Sequence, residues 1–198
     1  MSAPFDKRRI AQRIVEAVDP RSAPALLREY ARAGAAGAPK VSLPEAGCVV
    51  LAGHRASGKT RLLPLVAELL GWPGVDLDEE ISRRAGRDLR TWVEEDPKAF
   101  RAEERAAFQA VPPRRVVAAG GGFLSLHADL LAGHLAVLVP VSFETYRERL
   151  LADPGRPRLR PGLSAEEEIR TVYEEREALH HKSSAVSLAA FLRAVVEA

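Results

Sequence analysis

Gly53-His54-Arg55-Ala56-Ser57-Gly58-Lys59-Thr60 is the stretch on which the reading of this chain turns. It is an uninterrupted G-x-x-x-x-G-K-[S/T]. Before it, Cys48-Val49-Val50-Leu51-Ala52 is a short apolar run with the β-branched content of a buried strand. After it, Arg61 to Leu70 carries apolar residues at helical spacing. Strand, glycine loop and helix in succession are the context that separates a phosphate loop from a chance match. Glycines let successive backbone N–H groups converge on a polyphosphate, and the helix N-terminus adds its partial positive charge. Lys59 then reaches the β- and γ-phosphates, and the Thr60 hydroxyl ligates Mg²⁺. The motif predicts binding of a nucleoside triphosphate.

The 198 residues allow one α/β domain with a sizeable core and a short extension. A hydrophobic fraction of 46% and a charged fraction of 28% are those of an ordinary globular protein. The net charge of +2 is too small to argue for nucleic acid, although the pI of about 8.9 is basic. One cysteine, Cys48, excludes an internal disulfide and reads as a small core residue. There is no apolar signal core at the N-terminus and no apolar run of membrane-spanning length. Expected are a cytoplasmic location, no membrane or nucleic-acid partner, and a monomer.

Outward from the loop, the chain alternates strands with helices. Residues 1–45 read as a helical extension: Asp6 to Val18 and Ala23 to Ala33 are candidate helices, and Gly34 to Pro39 a linker. Residues 46–198 form the domain proper. Pro64 is expected to kink the helix after the loop slightly, since it cannot donate to the Thr60 carbonyl. Val75 to Asp78 reads as a second strand, and Glu79–Ala85, Leu89–Glu95 and Pro97–Ala110 as helices. Val116–Ala119 and Leu135–Val141 are further apolar strands, and Phe143–Leu151 a helix. Ser164 and Glu167 make a capping box for a long helix reaching about His181. Ser184 to Ala198 reads as mostly one helix, with no evident last strand. Strands apolar throughout imply a parallel sheet covered on both faces.

Four features bear on what receives the phosphate. Asp76 and Asp78 end the second strand, where α/β sheets place their ligands, and two residues apart on a strand they point the same way. One can accept a hydroxyl proton or hold the hydration shell of Mg²⁺ while the other binds a polyol; an N-cap for the next helix is the alternative. Arg101 and Glu104, at i and i+3 in Phe100-Arg101-x-x-Glu104, share a helix face, so the carboxylate can orient the guanidinium toward an acidic substrate. Gly120-Gly121-Gly122 follows a strand directly and permits close backbone approach. Last, Arg156-Pro157 lies in a proline- and arginine-rich loop, with Arg176 on the next helix, as in a lid that neutralises phosphoryl charge. An anionic polyol fits two arginines and two acids.

Together these features, with Glu175-Arg176, occur in the order and approximate spacing of the shikimate kinases, which the chain resembles from about Val41 to Ala185. The resemblance implies a three-layer P-loop kinase fold and ATP-dependent phosphorylation of the 3-hydroxyl of shikimate, a step in chorismate biosynthesis. It implies that Arg101 and Arg176 clamp the substrate carboxylate, with Glu104 positioning Arg101. Asp78 and the backbone of Gly120, Gly121 and Gly122 hold ring hydroxyls. Lys59 and Arg156 stabilise the transferring phosphoryl, and Asp76 sits near Mg²⁺ and the attacking hydroxyl. Nucleotide contacts fall on Gly53, Ala56, Ser57, Gly58, Lys59, Thr60, Arg61 and Arg156, with Thr60 and Asp76 at the metal. The chain departs from the family at Arg61, where a small hydroxylated residue is usual, and at His180-His181, near which a tyrosine is usual. The two histidines read as surface residues, and Trp72 and Trp92 as packing. Alternatives are a kinase of another acid such as gluconate, and a ligand-sensing module that binds without turnover.

Overall fold

The computed structural model describes residues 6–33, 41–153, 155, 157–160 and 162–198. The expected linker at 34–39 and Arg156 lie outside these. In chain order, the elements begin with α1 (Lys7–Ala17), α2 (Ala23–Ala33), β1 (Val49–Ala52) and α3 (Lys59–Leu70). There follow β2 (Gly74–Asp76), α4 (Leu77–Ala85), α5 (Leu89–Glu95), α6 (Pro97–Gln109), β3 (Val116–Ala118) and α7 (Phe123–Leu126). A 3₁₀ turn (Ala128–Leu131) leads to β4 (Leu135–Leu138), α8 (Phe143–Leu151), α9 (Ala165–Lys182), β5 (Val186–Ser187) and α10 (Leu188–Glu197). α3 continues through Pro64.

The strands pair in parallel in the order β2-β3-β1-β4-β5, and Val49 lies in register with Val116 on one side and Leu135 on the other. Every residue of β1 is buried, as its continuous apolar run requires of a central strand. Alternation divides its side chains between two layers. Val49 and Leu51 join Leu62, Val66, Leu69, Phe191 and Leu192 on one face, while Val50 joins Leu77, Ile81, Phe108, Val117 and Phe123 on the other. Cys48 is fully buried, as expected, and its thiol is pushed up by burial.

Three expectations are corrected here. First, β2 stops at Asp76, whose side chain caps α4 by accepting from the Asp78 and Glu79 N–H groups. Asp78 therefore stands in the first helical turn, so the two carboxylates do not share a strand face. Second, a last strand exists: β5 is only two residues, pairing Val186 with Val137 and Ser187 with Leu138, and Ser187 then caps α10 with no loop between. Third, His180 is nearly buried rather than a surface group, whereas His181 is exposed.

The N-terminal helices α1 and α2 share a core with the rest of the described chain. Ile10, Ile14, Val18 and Leu26 enter the same apolar cluster as α3 and α10, and Ile14 is fully buried. Each such side chain contributes about 1.5–3 kcal/mol by leaving water. A buried carboxylate, Asp19, ties the turn between α1 and α2 to the start of α8. It accepts from the Ser142 N–H (2.8 Å), the Thr145 hydroxyl (2.7 Å) and the Ser22 hydroxyl (2.8 Å). Burial opposes its charge, yet these donors outweigh it and hold the carboxyl well below the usual range.

Candidate active site

The carboxyl ends of β1, β2 and β3 open into a cleft of about 890 Å³. It lies where β1 has its neighbours β3 and β4 on opposite sides, the switch point at which open α/β sheets bind ligands. The phosphate loop forms one wall. Its turn needs left-handed backbone at Gly53 (φ 124°), Ala56 (φ 56°) and Gly58 (φ 94°), and a side chain at Gly53 would press on the Val139 carbonyl at 3.0 Å. Lys59 is buried, and its ammonium donates to the His54 carbonyl at 2.6 Å and the Gly53 carbonyl at 3.3 Å. The Thr60 hydroxyl is 2.7 Å from Asp76 Oδ2. A hydroxyl and a carboxylate oxygen this close, beside a phosphate loop, are the hard donors that suit Mg²⁺.

The opposite wall is built around Glu104, which is completely buried on α6. Its Oε2 accepts from Arg101 Nη1 (2.7 Å) and lies 2.9 Å from His127 Nε2. Glu104 thus fixes the Arg101 guanidinium, which also rests over the Phe100 ring. Arg176 comes from α9 to meet it: a Cβ placed on Gly122 would lie 3.4 Å from Arg176 Nη2 and 4.0 Å from Arg101 Nη2. Burial, and then the charges of Arg55 and Arg101, lower the Arg176 pKa to about 10. Its Nη1 is buried without a hydrogen-bond partner among the described residues. A buried guanidinium N–H left open beside a second arginine is a receptor for an anion.

Crowding accounts for the first two glycines of the run. A Cβ on Gly120 would meet Glu104 Oε1 at 2.9 Å, and one on Gly121 would meet Arg55 Cγ at 2.5 Å. Asp78 remains reachable from the cleft while the surrounding protein displaces much of its hydration. That desolvation, reinforced by Asp76 and Glu104, raises its carboxyl to about 6.

The structure therefore gathers Ala56, Gly58, Lys59, Thr60, Asp76, Asp78, Arg101, Glu104, the three glycines and Arg176 around one cavity. Gly53 and Ser57 are buried within the loop. Arg61 is exposed and is not among the cleft-lining residues. Of the lid, the described residues lie across the opening: Arg55 donates to the Pro157 carbonyl (3.2 Å) and Arg90 pairs with Asp153 (3.0 Å). Trp92 packs edge-on against Phe100.

Two contributors escaped the sequence reading. Arg149 of α8 lines the cleft and donates to the Ala56 carbonyl at 2.5 Å, and His127 supports Glu104 from the far side. Arg149 had one usable signal, its position one turn before the arginine-rich loop on the helix that leads into it. For His127 there was none, because the contact depends on how α7 packs against α6.

Known proteins resemble this chain in sequence and in fold. The sequence profile of the family described as Shikimate kinase matches residues 55–194. A shikimate kinase of Oleidesulfovibrio alaskensis is 37% identical over 145 residues, covering 69% of this chain and 84% of that protein. Another from Chlorobium luteolum is 32% identical over 149 residues, covering 69% and 74%. Among solved structures, a shikimate kinase from Acinetobacter baumannii in complex with shikimate superposes with a TM-score of 0.63 at 25% identity, covering 77% of this chain and 89% of that one.

Proposed function

The chain belongs to the shikimate kinase family, and we propose that it transfers the γ-phosphoryl of ATP to the 3-hydroxyl of shikimate, giving shikimate 3-phosphate and ADP. It is a phosphotransferase, with ATP as its phosphoryl donor. The observation that carries the acceptor assignment is the open, buried Nη1 of Arg176 beside Arg101, across the cleft from Thr60 and Asp76. Two converging guanidiniums suit one carboxylate, and acids facing them suit hydroxyls.

In this reading Arg101 and Arg176 clamp the carboxylate, and Glu104 holds Arg101 in place. Asp78 and the backbone at Gly120–Gly122 orient the ring hydroxyls. Asp76 takes the proton of the attacking hydroxyl or orders the groups around it. Lys59, with Arg156 from the lid, offsets charge on the transferred group, while the loop from Gly53 to Arg61 holds the polyphosphate. Thr60 and Asp76 would hold Mg²⁺, which when bound neutralises the phosphate oxygens it touches. Rate enhancement then comes mainly from positioning and preorganised charge. Residues 46–198 carry the activity and residues 1–45 are an extension packed on it. A monomer acting in the cytoplasm, with no nucleic-acid or membrane partner, completes the proposal; no helix among the described residues is long and apolar enough to cross a membrane.

The deciding experiment is an ADP-release assay with Mg²⁺-ATP across shikimate, gluconate and related hydroxy acids. Turnover on shikimate far above the others is expected. Turnover on another acid with none on shikimate would overturn the assignment, and binding without turnover on any would point to a sensor.

A further inference from the structure

A second cavity of about 390 Å³ lies beside the phosphate loop, and among the described residues it shares no lining side chain with the cleft. His54, Glu177 and His180 converge on it. His54 is the second residue of the phosphate loop and is 2% exposed. Glu177 and His180 are at i and i+3 on α9 and therefore share a helix face. His54 Nε2 is 2.8 Å from Glu177 Oε1, and His180 Nδ1 is 3.5 Å from the same oxygen. The ligand atoms of all three lie within 4.8 Å of one another.

We propose that His54, Glu177 and His180 form a binding site for one transition-metal dication of the zinc class, with the cavity supplying a fourth ligand from solvent. Two imidazoles and a carboxylate, with one position open, are a recurrent zinc donor set. Bonds of about 2.0–2.2 Å in a tetrahedron place neighbouring ligand atoms about 3.3–3.6 Å apart, so the 3.5 Å separation already suits an ion, the 2.8 Å one would open slightly, and the two imidazoles, within 4.8 Å, would close by somewhat over 1 Å at most. The His54 ring is held in place by stacking on Tyr173, with centroids 4.2 Å apart and planes 8° from parallel, and by the edge of Tyr146. Its other nitrogen, Nδ1, is buried and has no hydrogen-bond partner among the described residues, which leaves Nε2 as the nitrogen that meets Glu177. Nitrogen ligands direct the site away from Mg²⁺, which prefers oxygen. A bound ion would fasten the phosphate loop to α9 at the residue following Arg176.

The test uses the untagged full chain, stripped with a chelator and dialysed, with Co²⁺ and Zn²⁺ as probes. Expected are one equivalent of Co²⁺ giving the visible bands of a four-coordinate ion, displacement by one equivalent of Zn²⁺ but not by millimolar Mg²⁺, and a Zn²⁺-dependent rise in Tm that chelator reverses. His180→Asn and, separately, Glu177→Gln should each weaken Zn²⁺ binding at least tenfold, and His181→Asn should leave it unchanged. Absence of stoichiometric binding by the parent chain would overturn the proposal. So would binding that survives both the His180 and the Glu177 substitutions, or that is lost with His181 alone. Should one variant fail to fold, the other together with the parent titration decides. Because the readout is metal binding, failure here leaves the assignment of the acceptor untouched.

Discussion

The wall of the cleft that carries the phosphate loop is made of eight consecutive residues, Gly53 to Thr60, while the facing wall is assembled from α4, α6, the segment after β3, and α9. The first wall works mostly through backbone: left-handed residues aim the loop, and Lys59 is held by carbonyls of the loop itself. The second works through buried charge balanced at a distance, with Glu104 between Arg101 and His127 and Arg176 supplied from more than seventy residues further on. A contiguous site can be moved as a cassette and read as a motif. A dispersed one depends on the whole sheet to bring its charges together, so its side chains carry specificity that no short pattern conveys.

Substitutions should separate the two walls. The largest effect is expected on the nucleotide side: Lys59→Met should lower kcat about a thousandfold or more, as loss of a preorganised charge on the transition state does, with an unchanged far-ultraviolet circular dichroism spectrum. A comparable rise in the shikimate KM at constant kcat would place Lys59 on the wrong wall. On the acceptor side, Arg101→Ala should raise the shikimate KM roughly 10- to 100-fold, corresponding to a charged hydrogen bond of about 1.5–3 kcal/mol, and leave the KM for ATP within about twofold. Collapse of ATP affinity would dissolve the distinction.

The smallest effect concerns pH. The Asp78 carboxyl is raised to about 6 by desolvation, Asp76 and Glu104, so ionising it costs stability in the folded chain. That cost is absent below about pH 4, where the unfolded chain is also protonated, and grows as pH rises to about 6 and above. Because solvent reaches the group, screening limits the effect to about 1 kcal/mol. Asp78→Asn should therefore raise Tm by roughly 2–4 °C at pH 7.5 and by nothing measurable near pH 4. A Tm difference independent of pH would remove Asp78 from this account.

The contrast between the walls also explains how much could be read from sequence. The phosphate loop was legible because its physics is local, and the helices from Leu89 to Gln109 and from Ala165 to Lys182 were legible because caps and apolar spacing announce them. Arg101, Glu104 and Arg176 were found, but only Arg101 and Glu104 had a local reason to be paired. Asp76 and Asp78 were placed on one strand face because strand length is set by sheet pairing, and β2 pairs for only three residues before Asp76 turns to cap α4. β5 was missed for the same reason, its two residues being too few for alternation to register. His180 looked like a surface residue since its partner, His54, is 126 positions earlier (180 − 54) and meets it only in the folded chain.

The buried carboxylate of Asp19 has a mechanical consequence. It grips the first turn of α8 through Ser142 and Thr145, and the last turn of that helix carries Arg149, which holds the Ala56 carbonyl of the phosphate loop. The N-terminal segment thus holds one end of a lever whose other end rests on the nucleotide-binding loop. Trimming the chain to begin at the domain would cut that linkage and release the helix whose arginine braces the loop.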